Sequence, residues 1–261
     1  MADLIAGRVA VITASSRGMG RGIAERFLAE GAKVVISGRT EETGAKALAE
    51  LGAGDRAIAI PCDARDRSQV EALVDGAVAA FGRLDVLVNC AGGSDGFALI
   101  HEMAPEAWSN AMDFVLNSAF WATRRAVPHM LAGGWGRIIN ISSVEGKQGN
   151  KANVAHYIAS KHGLNGLTKA TAFEYGLKGI TANAICPGAV ETDTFADLGA
   201  KYAAQAGLNY DEFKDLYIRE SAIGRLNTVE EIAAVAALLA SEVGGGINGT
   251  TINVDGGALP Y

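Results

Sequence analysis

Short runs of apolar residues alternate with longer amphipathic stretches along the whole chain. The short runs are rich in Val and Ile, which favours strands, and the longer stretches repeat apolar residues at helical spacing. Seven strands are predicted near residues 8–12, 33–37, 57–60, 84–88, 137–141, 180–185 and 250–254. Helices are predicted between them, near residues 20–30, 41–51, 66–82, 105–131, 152–177 and 228–241.

Several predicted strands are apolar at consecutive positions, as between Arg8 and Ile12. Strands that are buried on both faces have this pattern, and strands that alternate with helices form a parallel sheet through right-handed crossovers. No linker, internal repeat or block of charge divides the chain. We therefore predict one α/β domain over residues 1–261, a doubly wound parallel sheet of about seven strands with helices on both faces.

The segment 189–223 departs from this alternation. It is polar and rich in Ala, Tyr, Asp and Lys. Its length of roughly 35 residues far exceeds the usual 2–6 residues of a loop between a strand and a helix. We expect it to form a helical lid that covers a substrate site.

Composition narrows the classes of function. The chain has 261 residues, 49% of them hydrophobic, and a net charge of −6. An acidic chain of this kind is a poor partner for nucleic acid or an anionic membrane. Three cysteines that are far apart in sequence (Cys62, Cys90 and Cys186) favour a reducing compartment over a disulfide framework or a zinc site.

The chain carries no feature that predicts a membrane or secretory location. Residues 1–12 lack a basic region and a small-residue cleavage site, and no apolar stretch approaches the ~20 residues that span a bilayer. The four histidines (His101, His129, His156 and His162) lack metal-ligand spacing, so no metal is expected. We expect a soluble cytoplasmic protein.

A glycine-containing turn follows the first predicted strand. Residues 13–20 read Thr-Ala-Ser-Ser-Arg-Gly-Met-Gly and lead into a predicted helix. Gly18 and Gly20 let the backbone approach a pyrophosphate, and the start of the helix offers unpaired N–H groups. Ligands of open α/β sheets bind at this edge. The turn therefore predicts a dinucleotide site contacted by Thr13, Ser15, Ser16, Arg17, Gly18, Met19 and Gly20.

The end of the second predicted strand bears on the choice of cofactor. NAD sites place an Asp or Glu there to bind the ribose hydroxyls, whereas this chain has Ser37, Gly38 and Arg39. Arg39, together with Arg17, favours the 2′-phosphate of NADP(H), since guanidinium groups form charge-assisted bonds with phosphate. The alternative is that both arginines are solvated surface residues.

Tyr157 and Lys161 are four residues apart in a predicted helix, so both project from one face. A nearby ammonium favours the phenolate, and we expect Lys161 to lower the pKa of Tyr157 from its reference value of about 10 toward neutrality. Such a phenol can exchange a proton with a carbonyl oxygen. Ser142 and Ser143 end the fifth predicted strand nearby. Glu145 and Gln148 follow, and we predict a surface loop there, with contact to substrate as the alternative.

Together these motifs resemble the short-chain dehydrogenase/reductase family, particularly its 3-oxoacyl-[acyl-carrier-protein] reductase-like members. The family's TGxxxGxG turn is present with Ala14 in place of its first Gly, and its NNAG motif with Cys90 in place of the second Asn. We expect Ala14 to avoid positive φ, which would cost on the order of 1 kcal/mol. The YxxxK motif, a PGxxxT segment after the sixth strand and the ending NVDGG also match.

The resemblance implies a Rossmann-type fold and a set of site residues. Asn117 would hold a water of the proton relay, and Ser143 would bind the substrate oxygen, with Ser142 the alternative one residue away. Tyr157 would be the acid and base, and Lys161 would tune it and hold the cofactor ribose. Further cofactor contacts are implied for Asp63, Ala64, Asn89, Ala91, Gly92, Pro187, Gly188, Val190 and Thr192.

The sequence therefore predicts an NADP(H)-dependent oxidoreductase that interconverts a ketone and a secondary alcohol. A reductase of 3-oxoacyl thioesters is an alternative within the same chemistry. A non-catalytic NADP-binding redox sensor is an alternative of another class, although such proteins usually lose the Tyr or the Lys. The resemblance also implies a homotetramer, with the helices near 105–131 and 152–177 at the interfaces. The substrate itself is not readable from the lid.

Overall fold

The computed structural model describes residues 3–93, 95–205 and 207–259. Its strands are β1 (Val9–Ile12), β2 (Lys33–Gly38), β3 (Ala57–Pro61), β4 (Val86–Asn89), β5 (Gly136–Ile141), β6 (Ile180–Pro187) and β7 (Thr251–Val254). Its α-helices are α1 (Gly18–Ala29), α2 (Glu41–Leu51), α3 (Arg67–Phe81), α4 (Pro105–Ala111), α5 (Ser118–Gly133), α6 (Ala155–Tyr175), α7 (Asp193–Gln205), α8 (Tyr210–Glu220) and α9 (Val229–Ala240). Each predicted strand is present, with ends that shift by one or two residues.

The strands form one parallel sheet in the order β3-β2-β1-β4-β5-β6-β7. β1 pairs with β2 on one side and with β4 on the other, so the strand order reverses between β1 and β4. That reversal opens a crevice beyond the carboxyl ends of the strands, where ligands of doubly wound sheets bind. The predicted doubly wound, Rossmann-type α/β fold is confirmed.

A hydrophobic core lies on each face of the sheet. On one face, Ile23 and Phe27 of α1 pack with Ile232 of α9. On the other, Leu73 of α3 packs with Met130 of α5. Gly22 lets α1 and α9 come together, since any Cβ there would collide with Val229. Both faces are buried, which is why the strands are apolar without alternation.

The predicted helix 105–131 is interrupted in the structure. The chain runs through α4, then a π-helical segment at Met112–Asn117, and then α5. π-Helical segments within helices occur frequently at functional sites. Periodicity could not reveal this one, because a single wide turn leaves the apolar spacing nearly unchanged.

The segment 189–223 is helical as predicted, and consists mainly of α7 and α8. Asn209 caps α8 by accepting a hydrogen bond from the backbone N–H of Glu212. A capping box at Thr228 likewise begins α9, as the sequence predicted. In the part of the chain that the structure describes, no helix is long and apolar enough to cross a bilayer.

Candidate active site

The turn after β1 adopts an unexpected backbone conformation. Ala14 has φ +51°, so the prediction that it would avoid positive φ was wrong. Two hydrogen bonds fix the turn: Ala14 N–H donates to the Ser37 hydroxyl at 2.9 Å, and Ser15 N–H donates to the Ser37 carbonyl at 2.9 Å. These bonds offset the steric cost, on the order of 1 kcal/mol, that Gly would avoid.

Hydroxyl groups of this turn bind the neighbouring backbone. Ser15 is fully buried; its hydroxyl donates to the Ile12 carbonyl at 2.6 Å and accepts from Ser37 N–H at 2.9 Å. Thr13 accepts hydrogen bonds from the N–H groups of Cys90 and Ala91, both at 3.0 Å. The predicted cofactor residues Thr13 and Ser15 therefore shape the crevice with their side chains.

The start of α1 is built for close approach by a ligand. Gly18 has φ +59°, and a Cβ there would lie 3.7 Å from Thr194. A Cβ at Gly20 would lie 2.7 Å from the Ala14 carbonyl, so only Gly fits. α1 has neither a side-chain cap at Arg17 nor an acidic residue in its first turn. Its first N–H groups and its positive dipole end therefore face the crevice, as phosphate binding requires.

Basic side chains lie near the ends of β2 and β3. Arg39 is exposed just beyond β2 and lies near enough to Asp63 to help hold the pKa of that carboxyl low. Arg65 contributes more, since its guanidinium bonds Asp63 at 2.9 and 3.1 Å. Arg17 pairs with Asp197 of α7 at 3.1 Å, where both side chains are exposed. The Asp63 carboxylate thus lies between basic groups.

Tyr157 and Lys161 lie at the carboxyl ends of β5 and β6, on the first turns of α6. The Lys161 ammonium lies 5.5 Å from the centre of the Tyr157 ring. It is 3% exposed and donates a hydrogen bond of 2.7 Å to the Ile141 carbonyl at the end of β5. A Cβ at Gly92 would lie 2.9 Å from this ammonium, so Gly92 makes room for it.

The predicted lowering of the Tyr157 pKa was wrong for this structure. Burial raises the pKa of Tyr157 to about 12, hydrogen bonding with the Ser143 side chain acts in the lowering direction, and the Glu145 carboxylate adds to the rise. Burial also lowers the pKa of Lys161 to about 8. The sequence argument counted the ammonium and omitted the cost of burying a phenolate.

The structure brings Ser143, and not Ser142, to the Tyr157 phenol. Ser143 interacts with Tyr157 and accepts a hydrogen bond of 3.1 Å from the N–H of Glu145. The Ser142 hydroxyl instead faces the backbone of α6, 3.4 Å from the Lys161 carbonyl. The two serines therefore point to opposite sides of the chain at the end of β5, as the alternation of a strand dictates.

Asn117 is the last residue of the π-helical segment. Its side-chain amide donates to the Asp113 carboxylate at 2.6 Å. The segment packs against α6, where a Cβ at Gly163 would lie 2.8 Å from Leu116. Asn117 is thus held rigidly beside the helix that carries Tyr157 and Lys161.

Asn89 is buried and links secondary-structure elements. Its amide donates to Asn140 of β5 at 2.8 Å and to Thr123 of α5 at 3.3 Å. Asn140 in turn donates to Thr168 of α6 at 2.8 Å. This buried chain of polar side chains was missed in the sequence, because a polar residue inside an apolar strand gives no hint of its partner.

The remaining predicted residues lie along the same edge. Pro187 ends β6, and Gly188 approaches Asp255 so closely that a Cβ would lie 3.0 Å from its Cα. Val190 is buried, and the Thr192 hydroxyl accepts from Phe195 N–H at 3.0 Å near the start of α7. Ser16, Met19 and Ala64 lie in the loops or first turns after β1 and β3.

Three comparisons bear on this arrangement. A family model described as short chain dehydrogenase matches residues 8–203. The chain is 38% identical over 260 residues to 3beta-hydroxysteroid dehydrogenase 2 of Eggerthella lenta, covering 99% of this chain and 97% of that one. It is 36% identical over 256 residues to D-beta-hydroxybutyrate dehydrogenase of Cupriavidus necator, covering 97% and 98%. A crystal structure of actinorhodin polyketide ketoreductase with NADPH matches with a TM-score of 0.92 and 37% identity, covering 100% of both chains.

The chain belongs to the short-chain dehydrogenase family. The family model spans well over half of it, and the curated relatives align along nearly its whole length. It is therefore an oxidoreductase of hydroxyl and keto groups that uses a nicotinamide cofactor. The resemblance drawn from the sequence motifs is confirmed, despite Ala14 and Cys90.

In this short-chain dehydrogenase, part of the segment 189–223 lies close to the candidate catalytic residues. The sequence analysis did not identify these residues. Tyr217 of α8 acts electrostatically on both Tyr157 and Glu145. Its ring lies 5.2 Å from that of Phe213 and 5.3 Å from that of Phe195. Their aromatic character was the only available signal, and no spacing rule says which face of a lid helix points inward.

The prediction of a surface loop at Glu145 was wrong. Glu145 is 6% exposed and lies directly beside Ser143. Gln148 is half-buried. Among the described residues, no three His, Cys, Asp or Glu side chains come together as a metal site requires, and Cys62, Cys90 and Cys186 are free thiols.

Proposed function

We propose that the chain is an NADP(H)-dependent oxidoreductase that interconverts a ketone and a secondary alcohol, with Tyr157 as acid and base. The observation that carries this proposal is the convergence of Ser143, Tyr157 and Lys161 at the carboxyl edge of the sheet. The crevice between β1 and β4 opens at that same edge. A spectroscopic assay of NADPH consumption with a panel of ketones tests it.

The crevice fits a dinucleotide. The uncapped start of α1, with Gly18 at positive φ and Gly20 packed against the Ala14 carbonyl, suits a pyrophosphate. Contacts are proposed from Thr13, Ser15, Ser16, Arg17, Met19, Arg39, Asp63, Ala64, Asn89, Ala91, Gly92, Tyr157, Lys161, Pro187, Gly188, Val190 and Thr192. For Thr13, Ser15 and Asn89, whose side chains bond within the protein, the contact would come from the backbone. The bound cofactor supplies or accepts the hydride.

The side chains supply the proton and orient the substrate. Ser143 donates a hydrogen bond to the carbonyl oxygen, and the Tyr157 phenol gives that oxygen a proton as its negative charge develops. Lys161 places a positive charge beside Tyr157 and the ribose. Asn117, at the end of the π-helical segment, orients the water that returns a proton to Tyr157. Reversal of these steps oxidises an alcohol.

The raised Tyr157 pKa predicts that only alcohol oxidation depends on the ionisation of Tyr157 near neutral pH. With a pKa of about 12, the phenol stays protonated at neutral pH and is ready to act as an acid. Alcohol oxidation needs the phenolate, whose fraction grows about tenfold per pH unit below the pKa. We expect kcat/KM for alcohol oxidation to rise from pH 6 to about pH 8, above which Lys161 loses its proton. An oxidation rate that is flat over this range would contradict the assignment.

Selectivity for NADP over NAD is proposed from Arg39. The end of β2 and the residue after it are Ser37, Gly38 and Arg39, none of which is acidic, and Arg39 is exposed. We expect Arg39→Ala to raise KM for NADP by about 10- to 100-fold and to leave KM for NAD unchanged, since a bond to a charged group contributes about 1.5–3 kcal/mol. Lys33→Ala, at the opposite end of β2, is the control. A wild-type enzyme that uses both cofactors equally would refute the proposal.

Reduction of 3-oxoacyl thioesters is the second candidate. The actinorhodin polyketide ketoreductase, with which this chain shares 37% identity, supports it. Turnover of an acyl thioester beside simple ketones separates the two activities. NADPH binding without turnover of any carbonyl compound would instead support a redox sensor.

Three further properties are proposed. The segment 189–223 covers the substrate within a single domain of residues 1–261, supported by the approach of Tyr217 to Tyr157. The chain forms a homotetramer, supported by exposed apolar side chains on α5 and α6 such as Phe120 and Phe173. A cytoplasmic location is supported by the three free thiols. Light scattering tests the tetramer.

A further inference from the structure

Glu145 is a buried carboxylate with unmet hydrogen-bonding capacity. It lies in the short 3₁₀ turn Val144–Gly146 after β5, and is 6% exposed. Among the described residues, neither of its carboxylate oxygens accepts a hydrogen bond. An ionised carboxylate can only accept hydrogen bonds, and burying one without donors is costly. A donor on a bound ligand would satisfy these oxygens.

The groups around Glu145 belong to the reaction site. Its own N–H donates to the Ser143 hydroxyl at 3.1 Å. Its charge acts on the phenols of Tyr157 and Tyr217, which places the carboxylate between α6 and the lid helix α8. Lys151 lies on the third side, with its ammonium 3.5 Å from Glu145 Oε1. The carboxylate is therefore buried close to Tyr157 and Ser143, next to the lid helix α8.

The surroundings of Glu145 bear on which kind of donor suits it, and the nearest charge is Lys151. Its ammonium also lies 3.2 Å from Glu220 Oε2 and 4.6 Å from the centre of the Tyr217 ring. At 3.5 Å from Glu145 it offsets the negative charge without forming a hydrogen bond. A cation would have to give up its hydration shell to reach this buried carboxylate, whereas a neutral hydroxyl gives up far less. The site thus favours a hydroxyl donor.

The nearby lid helices carry several aromatic rings. Tyr217, Phe213 and Phe195 of the lid form a cluster of rings with centres 5.2–6.0 Å apart. A second ring pair, Phe97 and Tyr202, lies beside the start of α6 with centres 4.8 Å apart. Aromatic surroundings of this kind suit a substrate with an apolar body. Glu145 is then the polar group that distinguishes one apolar substrate from another.

We propose that Glu145 is a specificity-determining residue that accepts a hydrogen bond from a second hydroxyl group of the substrate. The substrate class is then an apolar ketone, or its alcohol, that carries a hydroxyl away from the reacting carbon. This rests on the proposed ketone reductase activity, and adds to it the recognition of a group that does not react.

Matched ketone pairs test this recognition. The probes are cyclohexanone with 4-hydroxycyclohexanone, and 2-tetralone with 6-hydroxy-2-tetralone, each assayed for kcat/KM with NADPH. We expect at least one hydroxylated ketone to be preferred by about tenfold or more, as a hydrogen bond to a charged group implies. 4-Aminocyclohexanone, a cation at neutral pH, is expected to be poorer than its hydroxyl counterpart.

Variants assign the preference to Glu145. Glu145→Gln keeps the shape and loses the charge, and is expected to reduce the preference by about tenfold, because kcat/KM falls more for the hydroxylated ketone than for its unhydroxylated partner. Glu145→Leu is expected to reverse the preference, because a hydroxyl would then be buried without a partner. Glu220→Gln is the control: it removes the other acidic partner of Lys151 and should leave the preference intact.

The outcomes separate the possible failures. If wild type shows no preference in either pair, or if Glu145→Gln slows both members of a pair equally, Glu145 has only a structural role and the proposal is overturned. A preference that Glu220→Gln abolishes equally would assign it to the lid ion pairs instead. Absence of turnover with every ketone would contradict the proposed function itself. Thermal unfolding of each variant shows whether it is folded, and the isosteric Gln variant keeps the test decisive if Leu unfolds the protein.

Discussion

Tyr157→Phe is expected to lower kcat for ketone reduction several hundredfold. The substitution removes one oxygen, and with it the group that gives the carbonyl oxygen its proton. A positioned acid contributes typically 10²–10⁴-fold. Ser143 remains in the variant and can still polarise the carbonyl, so residual turnover is expected. KM for NADPH should change little, because most of the proposed cofactor contacts lie outside Tyr157.

Initial-rate kinetics of the variant, with equilibrium binding of NADPH, check this expectation. Tyr175→Phe is the matched control, since Tyr175 ends the same helix, about 27 Å away at 1.5 Å per residue. It should have wild-type kcat. An undiminished kcat for Tyr157→Phe would remove Tyr157 from the mechanism.

Lys161→Met is the second substitution with a large expected effect. It removes the buried ammonium that lies 5.5 Å from the Tyr157 ring and keeps an unbranched apolar side chain. Removing preorganised charge from a site that excludes water costs about 10²–10³ in kcat. KM for NADPH should also rise if Lys161 holds the ribose. A rise in KM for NADPH with an unchanged kcat would contradict a role beside Tyr157.

The expected loss of kcat in Lys161→Met is not caused by a loss of stability, because burying the Lys161 ammonium already destabilises the folded state. The lowered pKa of Lys161, about 8 against the ordinary 10.5, means that the folded chain binds fewer protons than the unfolded chain between these values. The free energy of unfolding therefore rises with pH across this window, and Lys161→Met should flatten that rise. Lys169→Met, exposed on the same helix, is the control.

Moving the ammonium tests its position separately from its charge. A Cβ at Gly92 would lie 2.9 Å from Lys161 Nζ, so Gly92→Ala forces the ammonium away from its place. We expect a loss of tenfold or more in kcat. Gly166→Ala is the control, since nothing lies within 4 Å of a Cβ at that position in α6. It should leave kcat unchanged.

The fold was predictable because its signals are local. Consecutive apolar residues in β1 and β6 reflect burial on both faces, and the capping box at Thr228 marks the start of α9. The π-helical segment was not predictable, since widening one turn changes backbone hydrogen bonds and not the pattern of side chains. Positive φ at Ala14 depends on bonds to Ser37, which is distant in sequence.

At the candidate site, the sequence identified the reacting groups but not their environment. The spacing of Tyr157 and Lys161 placed both on one helix face, while the direction of the Tyr157 pKa depended on burial that no spacing reveals. Burial of Glu145 likewise follows from the packing of its turn against α6 and β6, which are distant in sequence. Properties that arise where distant segments meet have no signature in a single sequence.

A crystal structure of the complex with NADP⁺ and a substrate alcohol tests the central claim most directly. The account predicts that the Tyr157 and Ser143 oxygens both lie within about 2.5–3.0 Å of the substrate oxygen, with the reacting carbon against the nicotinamide and Lys161 beside the ribose. A Tyr157 hydroxyl turned away from the substrate oxygen, with the Lys161 ammonium in bulk water, would contradict it.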